Sequence, residues 1–255
     1  MVLGASSGFG GAAARAFAQS GLNVLGVHLD RKATLPNAHA VIEDVEKAGR
    51  QALFLNINAA DEEKRNDAVI QLVEAMSGGP RVRVLLHSLA FGTLKPLVSP
   101  DPKAAVSGRQ LAMTMEVMAL SLVDWTQALV QADLFEPGAS VFAMTSAGSS
   151  RVWPSYGPVS AAKAALENYV RQLAMELAPS GVRANAICAG VTDTAALRKI
   201  PGNAEMIEDA QRRNPSGRLT TPEDVADAMV ALASPRCRWV TGNVIRVDGG
   251  EEIVA

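Results

Sequence analysis

A glycine string near the start of the chain, Gly4-Ala5-Ser6-Ser7-Gly8-Phe9-Gly10-Gly11, constrains the fold more than any other stretch. It follows the apolar Met1-Val2-Leu3 and precedes an alanine-rich run with the composition of a helix from about Gly11 to Ser20. Gly21 to His28, rich in valine and leucine, then supplies a strand at the distance expected of a parallel crossover unit. Glycines at 4, 8 and 10 let the backbone turn sharply and approach a pyrophosphate, whose charge is met by N–H groups at the helix start. Ser6, Ser7 and Phe9 complete the expected contact set of that loop. A glycine string by itself also fits a plain tight turn, so the rest of the chain must decide between the two. The first strand looks short, with three residues before Gly4.

The remaining chain continues the alternation. Helical patterns at Asn37 to Gly49 and Asp61 to Met76, the latter stopped by Ser77-Gly78-Gly79-Pro80, alternate with apolar runs at Ala52–Asn58 and Val82–Ser88. A long, mostly apolar helix is expected over Leu111–Leu134, a strand over Ala139–Ser146, another over Val182–Ala189, and a last strand within Trp239–Gly250. Thr221-Pro222-Glu223-Asp224 reads as a helix start with Thr221 as N-cap. Strands alternating with helices over 255 residues predict one α/β domain, a doubly wound parallel sheet with helices on both faces.

Composition excludes several classes. A net charge of −2 with scattered lysines and arginines gives no track for a nucleic-acid backbone. Cys188 and Cys237 have no metal-ligand spacing and suit a reducing cytosol, so no metal is expected. No run approaches the ~20 apolar residues that span a bilayer, and no signal peptide precedes the glycine loop, so a cytoplasmic location away from membranes is expected.

Ligand-facing positions collect at the carboxyl edge of such a sheet. After the second strand come His28, Asp30, Arg31 and Lys32; an acid there accepts a hydrogen bond from a free ribose 2′-hydroxyl, whereas a cation pairs with a 2′-phosphate. Asp30 therefore argues for NADH, and Arg31 with Lys32 for NADPH. Asn58 and Ala59 fall where an adenine ring would lie, and Ser88-Leu89-Ala90-Phe91-Gly92 comes after the fourth strand. His87, at that strand's end, reads as a hydrogen-bonded core histidine. Gly190-Val191-Thr192-Asp193-Thr194 offers hydroxyls to a carboxamide or pyrophosphate, and residues 195–215, broken by Pro201-Gly202, read as a mobile lid.

The chemical element is Ser155-Tyr156-Gly157-Pro158, with Lys163 seven residues after the tyrosine. On a helix the two would share a face about 10 Å apart along the axis. Pro158 favours a helix start, with Ser155 expected to cap it, and a phenol at the positive helix end near an ammonium favours phenolate. A surface Tyr/Lys pair on an amphipathic helix is the plainer alternative.

Gly4-x3-Gly8-x-Gly10, Ser146, Lys163 in Ser-Ala-Ala-Lys-Ala-Ala-Leu-Glu, Asn185-Ala186 and Val247-Asp248-Gly249-Gly250, in that order, resemble the short-chain dehydrogenase/reductase family with its Rossmann-type fold. Most members have tyrosine four residues before the lysine, where this chain has Val159. Tyr-x6-Lys with His87-Ser88-Leu89-Ala90-Phe91-Gly92 resembles the enoyl-acyl-carrier-protein reductases, and the C-terminal segment from Ser155 looks most like their NADPH-dependent type III branch. Met118 stands where ketoreductases carry asparagine on the long helix, and Ser146 where some enoyl reductases carry a second tyrosine.

The resemblance implies reduction of the C2=C3 bond of a trans-2-enoyl thioester on acyl carrier protein, in fatty-acid synthesis, by a homotetramer using NADPH, with NADH as the alternative. Moving the tyrosine three residues earlier shifts it by about 4.5 Å along the axis, toward an oxygen remote from the carbon that accepts hydride. Tyr156 is then the enolate stabiliser and Lys163 the ribose-binding cation, with Ser146 beside them. Ser88 falls to the cofactor, Ala90, Phe91 and Gly92 to the acyl chain, and Gly190, Val191, Thr192 and Thr194 to the nicotinamide end. A keto reductase or hydroxy-compound dehydrogenase is the competing enzyme, and a non-catalytic nucleotide sensor the competing class.

Overall fold

In the computed structural model, which describes residues 1–76 and 81–254, the strands are β1 (Val2–Leu3), β2 (Val24–His28), β3 (Ala52–Asn56), β4 (Val82–His87), β5 (Phe135–Ser146), β6 (Arg183–Ala189) and β7 (Val244–Val247). The helices are α1 (Gly8–Gln19), α2 (Leu35–Lys47), α3 (Glu62–Ala75), α4 (Gly108–Met115), α5 (Ser121–Gln131), α6 (Gly157–Leu177), α7 (Asn203–Arg213) and α8 (Pro222–Leu232). All strand pairs are parallel, in the order β3-β2-β1-β4-β5-β6-β7. The order reverses beside β1, so the crevice between its glycine loop and the end of β4 is the place for a ligand.

Short as it is, β1 is paired on both sides: Leu3 aligns with Val27 of β2 and with His87 of β4. Two cores flank the sheet. Phe17 of α1, Val41 of α2 and Met229 of α8 cover one face; Leu72 of α3, Trp125 and Leu129 of α5 and Leu166 of α6 cover the other. This is the single α/β layer arrangement expected from the alternation of elements. No helix of the described residues is long and apolar enough to cross a membrane.

Several boundaries differ from the sequence expectation. The first helix begins at Gly8 rather than Gly11, because the loop closes sooner: Ser7 is extended, with φ −162°, and Gly11 already donates to the Ser7 carbonyl. The single long helix expected over Leu111–Leu134 is instead α4, a π-helical turn over Glu116–Leu120, and α5. It starts early on a capping box between Ser107 and Gln110 and stops at a left-handed Asp133. At the π turn the Ser121 hydroxyl donates to the Val117 carbonyl and sits 2.8 Å from His87 Nε2, a local insertion of the kind that satisfies side chains at the cost of regular helix. The expected stop at Ser77–Pro80 lies outside the described residues.

Candidate active site

At the glycine-loop end, where the adenosine is expected, the backbone makes the site. Gly4 has φ +88°, and a Cβ on it would overlap the Ser88 carbonyl oxygen; a Cβ on Gly10 would overlap the Gly4 carbonyl. The glycines therefore allow the loop to fold onto its own helix and onto the end of β4. Asp61 caps α3 and Thr221 caps α8, but among the described residues no side chain caps α1, and its first turn has no acid. That uncapped start leaves the orphan N–H groups and the positive helix end for an anion, which fits a pyrophosphate.

The Asp30 carboxylate lies 2.8 Å from His28 Nδ1, beneath the glycine loop. Burial pushes its pKa up, but hydrogen bonds from Thr34, Ser6 and His28 outweigh this and hold it below the ordinary carboxylate range. Asn56 fixes the backbone of Asp30 from both sides, accepting from its N–H and donating to its carbonyl. Arg31 and Lys32 are exposed. Asn58 is exposed, whereas Ala59 is buried and its carbonyl accepts from the Trp125 indole.

At the other end, β5 and α6 bring the predicted catalytic residues together. The Ser146 hydroxyl is 3.4 Å from the Tyr156 phenol, and Lys163, 5% exposed, donates through Nζ to the Met144 carbonyl at 2.6 Å. One α6 turn further on, Glu167 accepts from the Thr145 hydroxyl. Burial lowers the Lys163 ammonium to about 8, against the raising effect of Glu167 and Cys188.

Two local expectations are corrected. Ser155 does not cap α6: it is held at φ +63°, and Tyr156 itself occupies the N-cap position without a side-chain cap bond. The phenol is not tuned toward phenolate either. Burial raises its pKa, opposed only by the Ser146 hydrogen bond, because removing water disfavours the charged phenolate. Tyr156 is thus held as a protonated donor.

His87 is the core histidine expected, fully buried on Ser121, and burial takes its pKa down to about 3. Ala90 and Phe91 are exposed, Phe91 by 63%. Gly92 is wedged instead: a Cβ there would press on Met118, Thr114 and Val159, so it keeps the loop seated between α4, the π turn and α6 rather than opening a channel. Beside the start of α6 a groove of about 210 Å³ is lined by Pro96, Leu97, Val152, Trp153, Ser155, Gly157 and Ser160.

The loop after β6 meets the glycine loop, Thr194 Cγ2 lying in van der Waals reach of a Cβ placed on Gly8. Of this loop, Val191, expected at the nicotinamide end, has its N–H already given to Glu251 Oε2 at 2.9 Å. Thr192 donates its hydroxyl to the Gly190 carbonyl, and Thr194 accepts from the Leu197 N–H. Residues 195–214 fold as a short turn and α7, with Gly202 at φ +77° between them. The Trp153 indole donates to the Pro201 carbonyl at 2.9 Å and ties this segment to the tyrosine loop.

Sequence reasoning missed Gly148, Trp153, Arg213 and Glu251. A Cβ on Gly148 would overlap the Tyr156 ring, so this glycine makes room for the phenol. Its place two residues after Ser146 was a readable signal; Glu251 and Arg213, whose partners are distant in sequence, offered none.

The family model described as enoyl-(acyl carrier protein) reductase matches residues 4–252. The chain is 35% identical over 171 residues to the NADH enoyl-[acyl-carrier-protein] reductase FabI of Aquifex aeolicus, a match spanning 67% of this chain and 62% of that protein's length. It is 30% identical to the 1-cyclohexenylcarbonyl-CoA reductase of Streptomyces collinus, over all of this chain and 87% of that protein. The crystal structure of the Aquifex aeolicus enoyl reductase superposes with a TM-score of 0.85 at 24% identity, covering 100% of this chain and 96% of that one, a likeness of fold.

Proposed function

Because the chain belongs to the enoyl-(acyl carrier protein) reductase family of short-chain dehydrogenase/reductases, we propose that it reduces the C2=C3 bond of a trans-2-enoyl thioester, carried on acyl carrier protein in fatty-acid synthesis. The observation that carries this reading is a protonated, half-buried Tyr156 placed against Ser146, seven residues before a buried Lys163. A bound dihydronicotinamide supplies hydride to C3.

The charge that hydride delivery creates falls on the thioester oxygen, and the Tyr156 hydroxyl donates to it. A donor that burial keeps protonated suits this task, because it has a proton to share at every ordinary pH. Ser146 orients that hydroxyl. Lys163 brings a cation that binds the nicotinamide ribose hydroxyls and supplies positive potential to the developing oxyanion. The glycine loop and the start of α1 hold the pyrophosphate, Ser88 and Asn58 with Ala59 flank the nucleotide, and Phe91 with Ala90 borders the acyl chain. The groove between Leu97 and Trp153 receives that chain, and residues 195–215 close over it as a lid.

For the cofactor, the Asp30 geometry favours NADH over the NADPH suggested by Arg31 and Lys32. An ionised carboxylate fixed on the glycine loop accepts from ribose hydroxyls and repels a 2′-phosphate, while both cations stay in solvent. Asp30→Gly is expected to raise kcat/KM for NADPH relative to NADH at least tenfold; an unchanged ratio contradicts the assignment. Exposed Leu111, Leu120 and Val130 along α4, the π turn and α5 support assembly as a homotetramer, and light scattering that returns a monomer would rule it out.

Product analysis tests the reaction. With NADH and a crotonyl thioester the expected product is the butyryl thioester. An acetoacetyl thioester reduced to the 3-hydroxy product, with the crotonyl one untouched, would make the protein a keto reductase.

A further inference from the structure

Glu251 is an unusual residue to find inside this molecule. It comes directly after the paired glycines Gly249-Gly250 beyond β7 and is 5% exposed. Its two carboxylate oxygens have different partners. Oε2 accepts the Val191 N–H at 2.9 Å, and Oε1 lies 3.5 Å from Arg213 Nη2 at the end of α7. Arg213, 12% exposed at its side chain, also donates to the Glu251 backbone carbonyl at 3.2 Å and pairs through Nε with Asp209 at 2.8 Å. A Cβ on Gly190 would stand 2.9 Å from Oε2 and overlap the Thr220 hydroxyl, so the loop sits directly on this carboxylate.

A buried carboxylate is expensive unless it is paired and hydrogen-bonded, and this one is both. Its neighbours, however, are not two parts of one core. One is the loop that leaves β6 toward the cofactor crevice, and the other is α7, the helix of the lid segment.

We propose that Glu251 is a positioning residue for the nicotinamide end of the cofactor, holding the Val191–Thr194 loop in its binding posture and joining that posture to α7 through Arg213. With the Val191 amide engaged, the Val191 carbonyl and the Thr192 backbone are what the loop presents to a carboxamide. Movement of α7 pulls on Arg213, and so on the carboxylate beneath the loop. The inference rests on the proposed nicotinamide dinucleotide binding alone, and it stands whether the reduced bond is C=C or C=O.

Calorimetric titration with NADH and with ADP-ribose, which lacks the nicotinamide, separates this role from plain stabilisation. Glu251→Gln keeps an acceptor for Val191 but removes the charge. It is expected to weaken NADH about tenfold, worth about 1.4 kcal/mol, while ADP-ribose stays within twofold. Arg213→Gln leaves the Val191 bond and frees α7, and is expected to weaken NADH about threefold with ADP-ribose again unchanged. Equal weakening of both ligands by Glu251→Gln, or of neither, would overturn the positioning role, and unchanged NADH affinity in Arg213→Gln would overturn the link to α7. Failure of the parent protein to bind ADP-ribose would instead remove the cofactor reading itself.

Discussion

The two ends of the crevice are built from different materials. At the glycine-loop end the lining is mostly backbone: glycines at 4 and 10 that allow no side chain, and a helix start left uncapped, with the Asp30 carboxylate beside them. At the other end it is side chains, namely buried Lys163 on the Met144 carbonyl, buried Glu251 on the Val191 amide and half-buried Tyr156 against Ser146. Backbone contacts recognise any dinucleotide, and they tolerate no added atom. The side-chain end holds the residues proposed for the chemistry, and its groups are held by partners 10 to 60 residues away in the chain. Substitutions at the loop glycines should therefore abolish binding of every nucleotide, whereas those around the phenol should leave binding and remove rate.

The largest effect is expected from Gly10→Ala, whose methyl would collide with the Gly4 carbonyl. Affinity for NADH and for ADP-ribose should fall together by more than about a hundredfold, measured by calorimetry; retention of ADP-ribose binding would break the contrast between the ends. Next comes Tyr156→Phe, with kcat/KM for an enoyl thioester reduced by about 10² to 10³ and NADH affinity unchanged. Gly148→Ala sharpens the same point without touching the phenol. Its methyl displaces the Tyr156 ring, and kcat should fall about tenfold while the dissociation constant of NADH stays put.

Lys163 gives a pH test. Its pKa is lowered to about 8 from 10.5 in the folded chain, so its contribution to stability is present above about pH 10.5 and is lost progressively as pH falls from there through 8. Lys163→Met escapes that loss. The ligand-free variant should gain in Tm over the parent by roughly 5 °C more at about pH 7 than at about pH 10.5, and an equal difference at both pH values would deny the buried charge. The smallest effect belongs to Trp153→Phe, which keeps an aromatic ring and removes the bond to Pro201. KM for the thioester should rise about two- to threefold with kcat little changed.

How legible each end was depends on the same division. Backbone sites announce themselves locally: the glycine spacing, the β-strand run before His28 and the Thr221-Pro222-Asp224 helix start were all readable because each is a short-range pattern. The parallel sheet with helices on both faces was readable from the alternation of elements. The π turn was not, since it answers to His87 on a strand 34 residues away from Ser121. The Glu251 bond to Val191 spans 60 residues, and no local pattern encodes it. Ser155 misled in another way: a serine before proline looks like a cap, but the turn needs it at positive φ and hands the N-cap position to Tyr156. The phenol's acidity was misjudged because burial cannot be read from spacing, and burial dominates it.

Loss of absorbance at about 340 nm with a crotonyl thioester, run in parallel with NADH and NADPH, tests the central claim most directly. Turnover with NADH, at least tenfold more efficient than with NADPH, is the predicted result. Silence with both cofactors, alongside turnover of an acetoacetyl thioester, would contradict it and make this crevice the site of a carbonyl reductase.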